Sequence, residues 1–330
     1  MKQKILYVDG FNLFLANYHA NTELNQNSEP IGGIVGFLKQ LKNITYRFSP
    51  QKIVIIFDGP EAGLRRKQLF KEYKGKRGGG SHLRDLDINL GDKDDKDIVY
   101  VNNEQEQFIQ LFTVLKLLPI TLVMTPYYEA DDIITYLVKR NQNYHSIICS
   151  NDKDYLQNIN EDVDVYQFSK NRLVTSINFE ELYKIRKDNY LFSRTIVGDE
   201  SDELKGIDGI GFKTLLKLFP QLNEQNFSTI EELWSKIEDL EGKGLTLQKL
   251  KEGRKQSYLM YELMRLDETC LNLEAIEVTR RQIEEQEHKS FSKLMLKTYF
   301  IKNHFNLSIH DFEMWISPFN FVKNTLHLEV

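Results

Sequence analysis

Five short, almost unbroken runs of apolar and β-branched residues, separated by longer stretches of helical period, constrain this chain's fold more than any other feature. The runs are Lys4–Val8, Lys52–Phe57, Ile120–Thr125, Ser146–Ser150 and Val163–Phe168. Helical period fills Ile31–Tyr46, Glu104–Leu118 and Ala130–Arg140. A strand apolar on every residue must be covered on both faces, and strands alternating with helices pair in parallel through crossovers. The expected fold is therefore α/β, a central, mostly parallel sheet flanked by helices. Residues 61–103 interrupt the rhythm with a basic stretch, a Gly78-Gly79-Gly80-Ser81 run and an acidic stretch from Asp85 to Asp97. A segment of that length without periodicity is a functional loop or an insertion. From about Tyr190 onward the pattern is helical, so the chain divides into residues 1–190 and 191–330.

Four of the apolar runs end in acids. The first reaches Asp9, the second Asp58, the third Glu129, Asp131 and Asp132 at a helix start, and the fourth Asp152 and Asp154. In an open α/β sheet the carboxyl ends of the strands border the ligand crevice. Any one of these acids alone reads as a helix cap or turn residue. Seven carboxylates delivered to one edge repel each other unless cations neutralise them. Hard oxygen donors without His or Cys select magnesium or manganese over zinc. Asp199 and Asp202 share a helix face at i, i+3 if their turn is helical, and otherwise read as a capping loop. Two magnesium ions about 4 Å apart are the usual device for in-line attack on a phosphodiester, and they need carboxylates rather than a nucleophilic triad.

Charge and cysteines fit that chemistry. The net charge is −5, but nine of the 48 acids belong to the candidate metal set, leaving 39 against 43 bases. Placement, not total charge, decides whether nucleic acid binds. Cys149 and Cys270 have no ligand spacing, and Cys149 reads as a buried reduced thiol. The first apolar run meets Asp9 too soon for a signal peptide, and no run approaches membrane-spanning length, so the expected location is the cytoplasm. The segment Leu64–Arg77 carries seven cations and one acid. It reads as a solvated helix face or as a nucleic-acid contact.

The ordered motifs Tyr-Val-Asp9-Gly, Phe-Asp58-Gly, Glu129-Ala-Asp131-Asp132, Asp152-Lys-Asp154 and Gly-Asp199-Glu-Ser-Asp202 resemble those of the 5′-nuclease superfamily. That group includes flap endonucleases, the 5′-nuclease domain of bacterial DNA polymerase I and the ribonuclease H of T-even phages. The resemblance covers roughly residues 1–220 and implies a PIN-like nuclease core, with 61–103 as a helical arch insertion. It implies a helix–three-turn–helix at Gly206–Thr214, within a C-terminal helical region. Asp9, Asp58, Glu129 and Asp131 would serve a first metal, and Asp152, Asp154 and Asp202 a second, with Asp132 and Asp199 in support. The ions would be magnesium, with manganese able to substitute. Lys74 and Arg77 would steer the scissile phosphate as catalytic residues. Tyr73 would stack on an unpaired base, and Arg65, Arg66 and Lys67 would contact DNA. Gly209, Gly211, Lys213 and Thr214 would clamp the duplex backbone, where family members also bind potassium. The acidic residues after Ser81 depart from a basic arch and put threading of a flap through it in question.

The resemblance implies a stand-alone, monomeric, phage-like nuclease acting on branched, nicked or gapped DNA and RNA–DNA duplex, including RNA primers, in replication or repair. It would work in the host cytoplasm if phage-encoded. Partners would be replication proteins such as a single-strand binding protein or clamp. Two readings compete: a PIN-type ribonuclease, which would lack the helix–three-turn–helix, and a catalytically weak junction-binding protein. The aromatics Trp234, Phe300, Phe305, Trp315, Phe319 and Phe321 read as core, with a partner site near Trp315–Phe321 as the alternative.

Overall fold

The computed structural model describes residues 2–74, 103–242, 244–287, 291–305, 309–323 and 326–330. In chain order it begins β1 (Lys4–Asp9), α1 (Gly10–Ala20), α2 (Gly32–Phe48), β2 (Lys52–Asp58) and α3 (Leu64–Leu69). After the insertion come α4 (Asn103–Leu115), β3 (Thr121–Thr125), α5 (Ala130–Arg140), β4 (His145–Cys149), β5 (Val163–Gln167) and β6 (Arg172–Val174). Then follow α6 (Phe179–Tyr183), α7 (Tyr190–Val197), β7 (Gly198–Asp199), β8 (Leu204–Lys205), α8 (Phe212–Leu218) and α9 (Gln221–Glu224). The last helices are α10 (Ile230–Glu238), α11 (Leu245–Glu252), α12 (Arg254–Met264), α13 (Leu273–Glu284), α14 (Lys293–Lys302) and α15 (Ile309–Ile316). No described helix is long and apolar enough to cross a membrane.

Two compact units emerge. One holds the described residues of 1–62, 82–151 and 268–330, the other those of 63–81 and 152–267. The division read from sequence at 190/191 falls inside the second unit.

In the first unit four strands run parallel in the order β3-β2-β1-β4, with Asp9 level with Ile56 and Asp58 level with Thr125. Residues of β1 and β2 are buried on both faces, as their unbroken apolar character requires. The expected α5 has the bounds anticipated, whereas α1 is an addition. Asp9 caps it by accepting the Asn12 amide at 3.1 Å, the helix-cap role open to any of these strand-end acids. α13 packs on β3, and Gln282 on it and Gln286 in the turn after it cover that strand's backbone. Gln282 accepts from the Met124 amide (2.9 Å) and donates to the Met124 carbonyl (2.8 Å). Gln286 does the same at Leu122 (3.0 and 2.7 Å). Residues 326–330 return to the opposite ends of the strands. Lys52, fully buried, donates to the Leu326 carbonyl at 2.6 Å, and Asn141 exchanges hydrogen bonds with the Glu329 backbone.

The second unit is mainly helical beside the antiparallel pair β5–β6. α7 packs on α12, and a buried Thr195–Ser257–Trp234 hydrogen-bond chain ties α7, α12 and α10 together. Both cysteines are buried and unpaired with each other. Among the aromatics read as core, Trp234, Phe300, Phe305, Trp315 and Phe319 are buried, while Phe321 is 75% exposed.

Candidate active site

The first carboxylate group lies at the carboxyl edge of the first unit's strands. Asp9, the last residue of β1, accepts from the Asn12 amide through one oxygen and from the Ser150 hydroxyl, at 3.1 Å, through the other. Asp58, the last residue of β2, accepts from the Ala130 amide at 2.8 Å and so caps α5 from a neighbouring strand. Glu129 precedes α5, and Asp131 and Asp132 fill its first turn, where the positive end of the helix dipole favours anions. One oxygen from each of Glu129, Asp131 and Asp132 lies within 4.8 Å of the others, which suits a divalent cation's oxygen shell. Asp9, Asp58, Glu129 and Asp132 are all buried. The glycines after the first two acids are fixed by space: a Cβ on Gly10 would meet the Phe57 ring at 2.3 Å, and one on Gly59 the Thr125 carbonyl oxygen at 1.9 Å. Cys149 sits beside this group as an inert thiol, its pKa pushed up by burial and by the Asp9 carboxylate.

The second unit carries its own group. Asp152 and Asp154 follow β4, and Asp154 donates its amide to the Asp152 carboxylate at 2.8 Å. Asp199 ends β7, and Asp202 lies in the turn after it, both buried. Burial first, then the Asp202 charge, raises the Asp152 pKa. Burial and Asp152 push Asp154 up to about 7, against the opposing pull of Arg194. Desolvation and the mutual repulsion of closely set carboxylates both act in that direction. Two cations belong to the group already. The Lys74 ammonium stands 3.9 Å from Asp202, and Arg194 bridges Asp154 at 3.1 Å and Asp199.

Arg194 is the residue that sequence reading missed. It is 4% exposed, and its Nε finds no hydrogen-bond partner among the described residues. Its only sequence signal is a lone cation inside the apolar helix α7, five residues before Asp199. Ser150 and Asn12, which hold Asp9 and the residue 151 amide, were also passed over as ordinary strand-end and helix residues.

The basic segment corrects two expectations. Arg66 is 2% exposed and donates to the Leu263 carbonyl at 3.0 Å, so it is a structural tie and not a DNA contact. Tyr73 is 3% exposed and packs with Leu204, Met260, Leu263 and Met264, so no face is available to stack on a base. Instead its ring lies beneath the Lys74 ammonium at 4.9 Å and near the Arg66 guanidinium at 5.9 Å. Apolar packing won over display. Arg65 is half-buried and donates to the Glu262 carbonyl, whereas Lys67 is exposed. Arg77, the glycine run and the acidic stretch lie outside the described residues.

In the glycine-rich turn, Gly209 holds the left-handed conformation (φ +77°) that a side chain strains. Gly211 does not: it caps α8 with φ −91° and ψ 174°, and a Cβ there meets nothing within 4 Å. Of the two, only Gly209 would strain the backbone if it carried a side chain. Lys213 is exposed in the first turn of α8 and Thr214 is half-buried.

Residues 4–184 match the family model described as 5′-3′ exonuclease, N-terminal resolvase-like domain. A 5′-3′ exonuclease of Buchnera aphidicola subsp. Acyrthosiphon pisum is 31% identical over 273 residues, covering 79% of this chain and 86% of that protein. Among solved structures, the 5′-exonuclease of bacteriophage T5 with bound zinc superposes with a TM-score of 0.68 at 19% identity, covering 86% of this chain and all of that one. Flap endonuclease-1 of Methanococcus jannaschii superposes at 0.54 and 14% identity, covering 98% and 94%.

Proposed function

As the chain belongs to the 5′-3′ exonuclease family, we propose that its two carboxylate groups each hold a divalent ion, magnesium or in its place manganese, and that the protein hydrolyses phosphodiesters in nucleic-acid structures that combine duplex with a free or displaced 5′ end. The observation that carries this reading is the packing of Glu129, Asp131 and Asp132 oxygens at one helix start, with Asp58 and Asp9 buried on the adjoining strand ends. Such ions would lower the pKa of the attacking water and stabilise the leaving oxygen.

The chain's own residues do the rest. Ser150, Asn12 and the Ala130 amide spend one lone pair of a carboxylate each or brace the loop beside it, fixing where the remaining oxygens point. Arg194 orients Asp154 and Asp199, and Asp152, Asp154 and Asp202 supply the second oxygen shell. Lys74, on its positive-φ backbone and paired to Asp202, is placed to shift from carboxylate to scissile phosphate. Gly209, Gly211, Lys213 and Thr214 grip one strand of duplex through amides and charge. Backbone carbonyls of this turn would also take a potassium ion. Contacts of that kind recognise shape rather than base sequence.

The substrates fitting this chemistry are RNA primers, flaps, nicks and gaps. Labelled flap, nicked and RNA–DNA substrates incubated with magnesium and then with EDTA test it. The expected result is short products from the 5′ end, formed only with the ion. Cleavage that persists in EDTA, or that spares all 5′-ended duplexes, would refute the reading.

A further inference from the structure

α14 buries one side and leaves apolar residues on the other. Leu296 and Phe300 are sealed in the first unit's core, and the Tyr299 hydroxyl reaches the Gln110 carbonyl on α4. Directly opposite, Leu294 is 74% exposed and Ile301 67%. They are seven residues apart, so they form one ridge along the outward face, with Met295, 60% exposed, beside it. Lys293 and Lys297 flank the ridge on one side and Lys302 on the other. From Phe291 to Phe305 there is no acidic residue, in a chain whose net charge is −5. Scattered exposed apolar residues need no explanation, but an aligned ridge with cations on both sides does.

We propose that this face of α14 is a docking site for an acidic amphipathic peptide of a partner protein. Each half of the surface narrows the occupant. The ridge requires apolar side chains, which a phosphate backbone does not supply. The flanking lysines require anions on either side of those side chains. A second copy of this chain fits poorly, because a two-fold contact would set Lys293, Lys297 and Lys302 against their own copies. A helix or extended segment with Leu, Ile or Phe on one stripe and Asp or Glu around it meets both requirements.

The test measures fluorescence anisotropy of a labelled 15-residue peptide with Leu and Phe at helical spacing and Asp or Glu elsewhere. The comparison is the same peptide with every acid replaced by Lys. The acidic peptide should bind and weaken as salt rises, and the lysine peptide should not bind. Leu294→Asp and Ile301→Asp should each weaken the acidic peptide at least tenfold, while magnesium-dependent cleavage of nicked DNA and the circular dichroism spectrum stay unchanged. A triple Lys293→Gln, Lys297→Gln, Lys302→Gln variant should lose most of the salt dependence. Equal binding of both peptides, no binding of either, or indifference to the Leu294 and Ile301 variants would overturn the proposal. So would tighter binding to anionic phospholipid vesicles than to the peptide, or an equal loss of duplex DNA affinity in the lysine variant.

Discussion

Asp131 and Arg194 show what a single charge does in these groups. Asp131 stands in the first turn of α5, half-exposed, so Asn fits its space and removes only charge and one hard ligand. Asp131→Asn should therefore cut single-turnover cleavage by several orders of magnitude while leaving DNA affinity within a few-fold, since phosphate contacts elsewhere provide binding. Near-normal cleavage would sink the metal assignment. Arg194 is different, because it is buried against two acids. Removing one partner of a buried pair costs about 3–5 kcal/mol. It would also lift the Asp154 pKa further, since the guanidinium is what opposes burial there. Arg194→Met should shift the acid limb of the cleavage pH profile to higher pH, and Arg194→Lys should restore part of that shift. A lowered melting temperature with an unmoved profile would mean that Arg194 only supports the fold. The acids were legible because strand ends announce themselves in the pattern. Arg194, Arg66 and Tyr73 were not, because a cation or a tyrosine in a basic stretch looks the same whether it faces solvent or a core.

At the scale of elements, the strands and α5 were readable from period, while α1, eleven residues opening on a glycine, was not among the helices expected. The covering of β3 by α13 was not readable at all. No periodicity encodes two glutamine side chains, about 160 residues away, standing in for a neighbouring strand. Each glutamine satisfies one amide and one carbonyl of β3, and a buried backbone group left unmet costs about 1–3 kcal/mol. Gln282→Ala with Gln286→Ala should lower the unfolding free energy from denaturant titration by several kcal/mol and promote association through the bared strand. Unchanged stability would show that water replaces the amides without loss. The glycine-rich turn offers a binding counterpart. Lys213→Ala should weaken all duplex-containing substrates alike and flatten the plot of log affinity against log salt by up to about one unit. The titration is done in calcium, taken to occupy the sites without supporting cleavage. Gly209→Ala should lower stability through backbone strain, whereas Gly211→Ala should be tolerated by the fold.

Taken as a whole, the molecule folds around charges that oppose its folding. The division into units could not be read from sequence, because residues 268–330 return to the first unit through ties such as Lys52–Leu326 and Asn141–Glu329 that no local pattern records. The electrostatic consequence, however, can be worked out with its sign. Asp152 and Asp154 have raised pKa values in the folded protein, Asp154 to about 7, against an unfolded value near 4. A carboxyl whose folded pKa is raised contributes stability that is fully present below the unfolded value. That contribution is lost as pH climbs through the folded one. Ion-free protein should therefore lose stability between about pH 4 and pH 7–8. A divalent ion binds the deprotonated, folded form and stabilises it in proportion to its occupancy. The rise in melting temperature on adding magnesium or calcium should accordingly be larger at pH 8 than at pH 5.5, and binding near pH 7 should release protons. Differential scanning fluorimetry at both pH values and calorimetry in buffers of different ionisation enthalpy measure the two effects. Asp154→Asn should shrink the pH dependence, since it removes the group whose proton the ion displaces. An ion-induced shift of equal size at both pH values, with no proton release, would mean that these carboxylates are ionised before any ion arrives and that the second group is not an ion site.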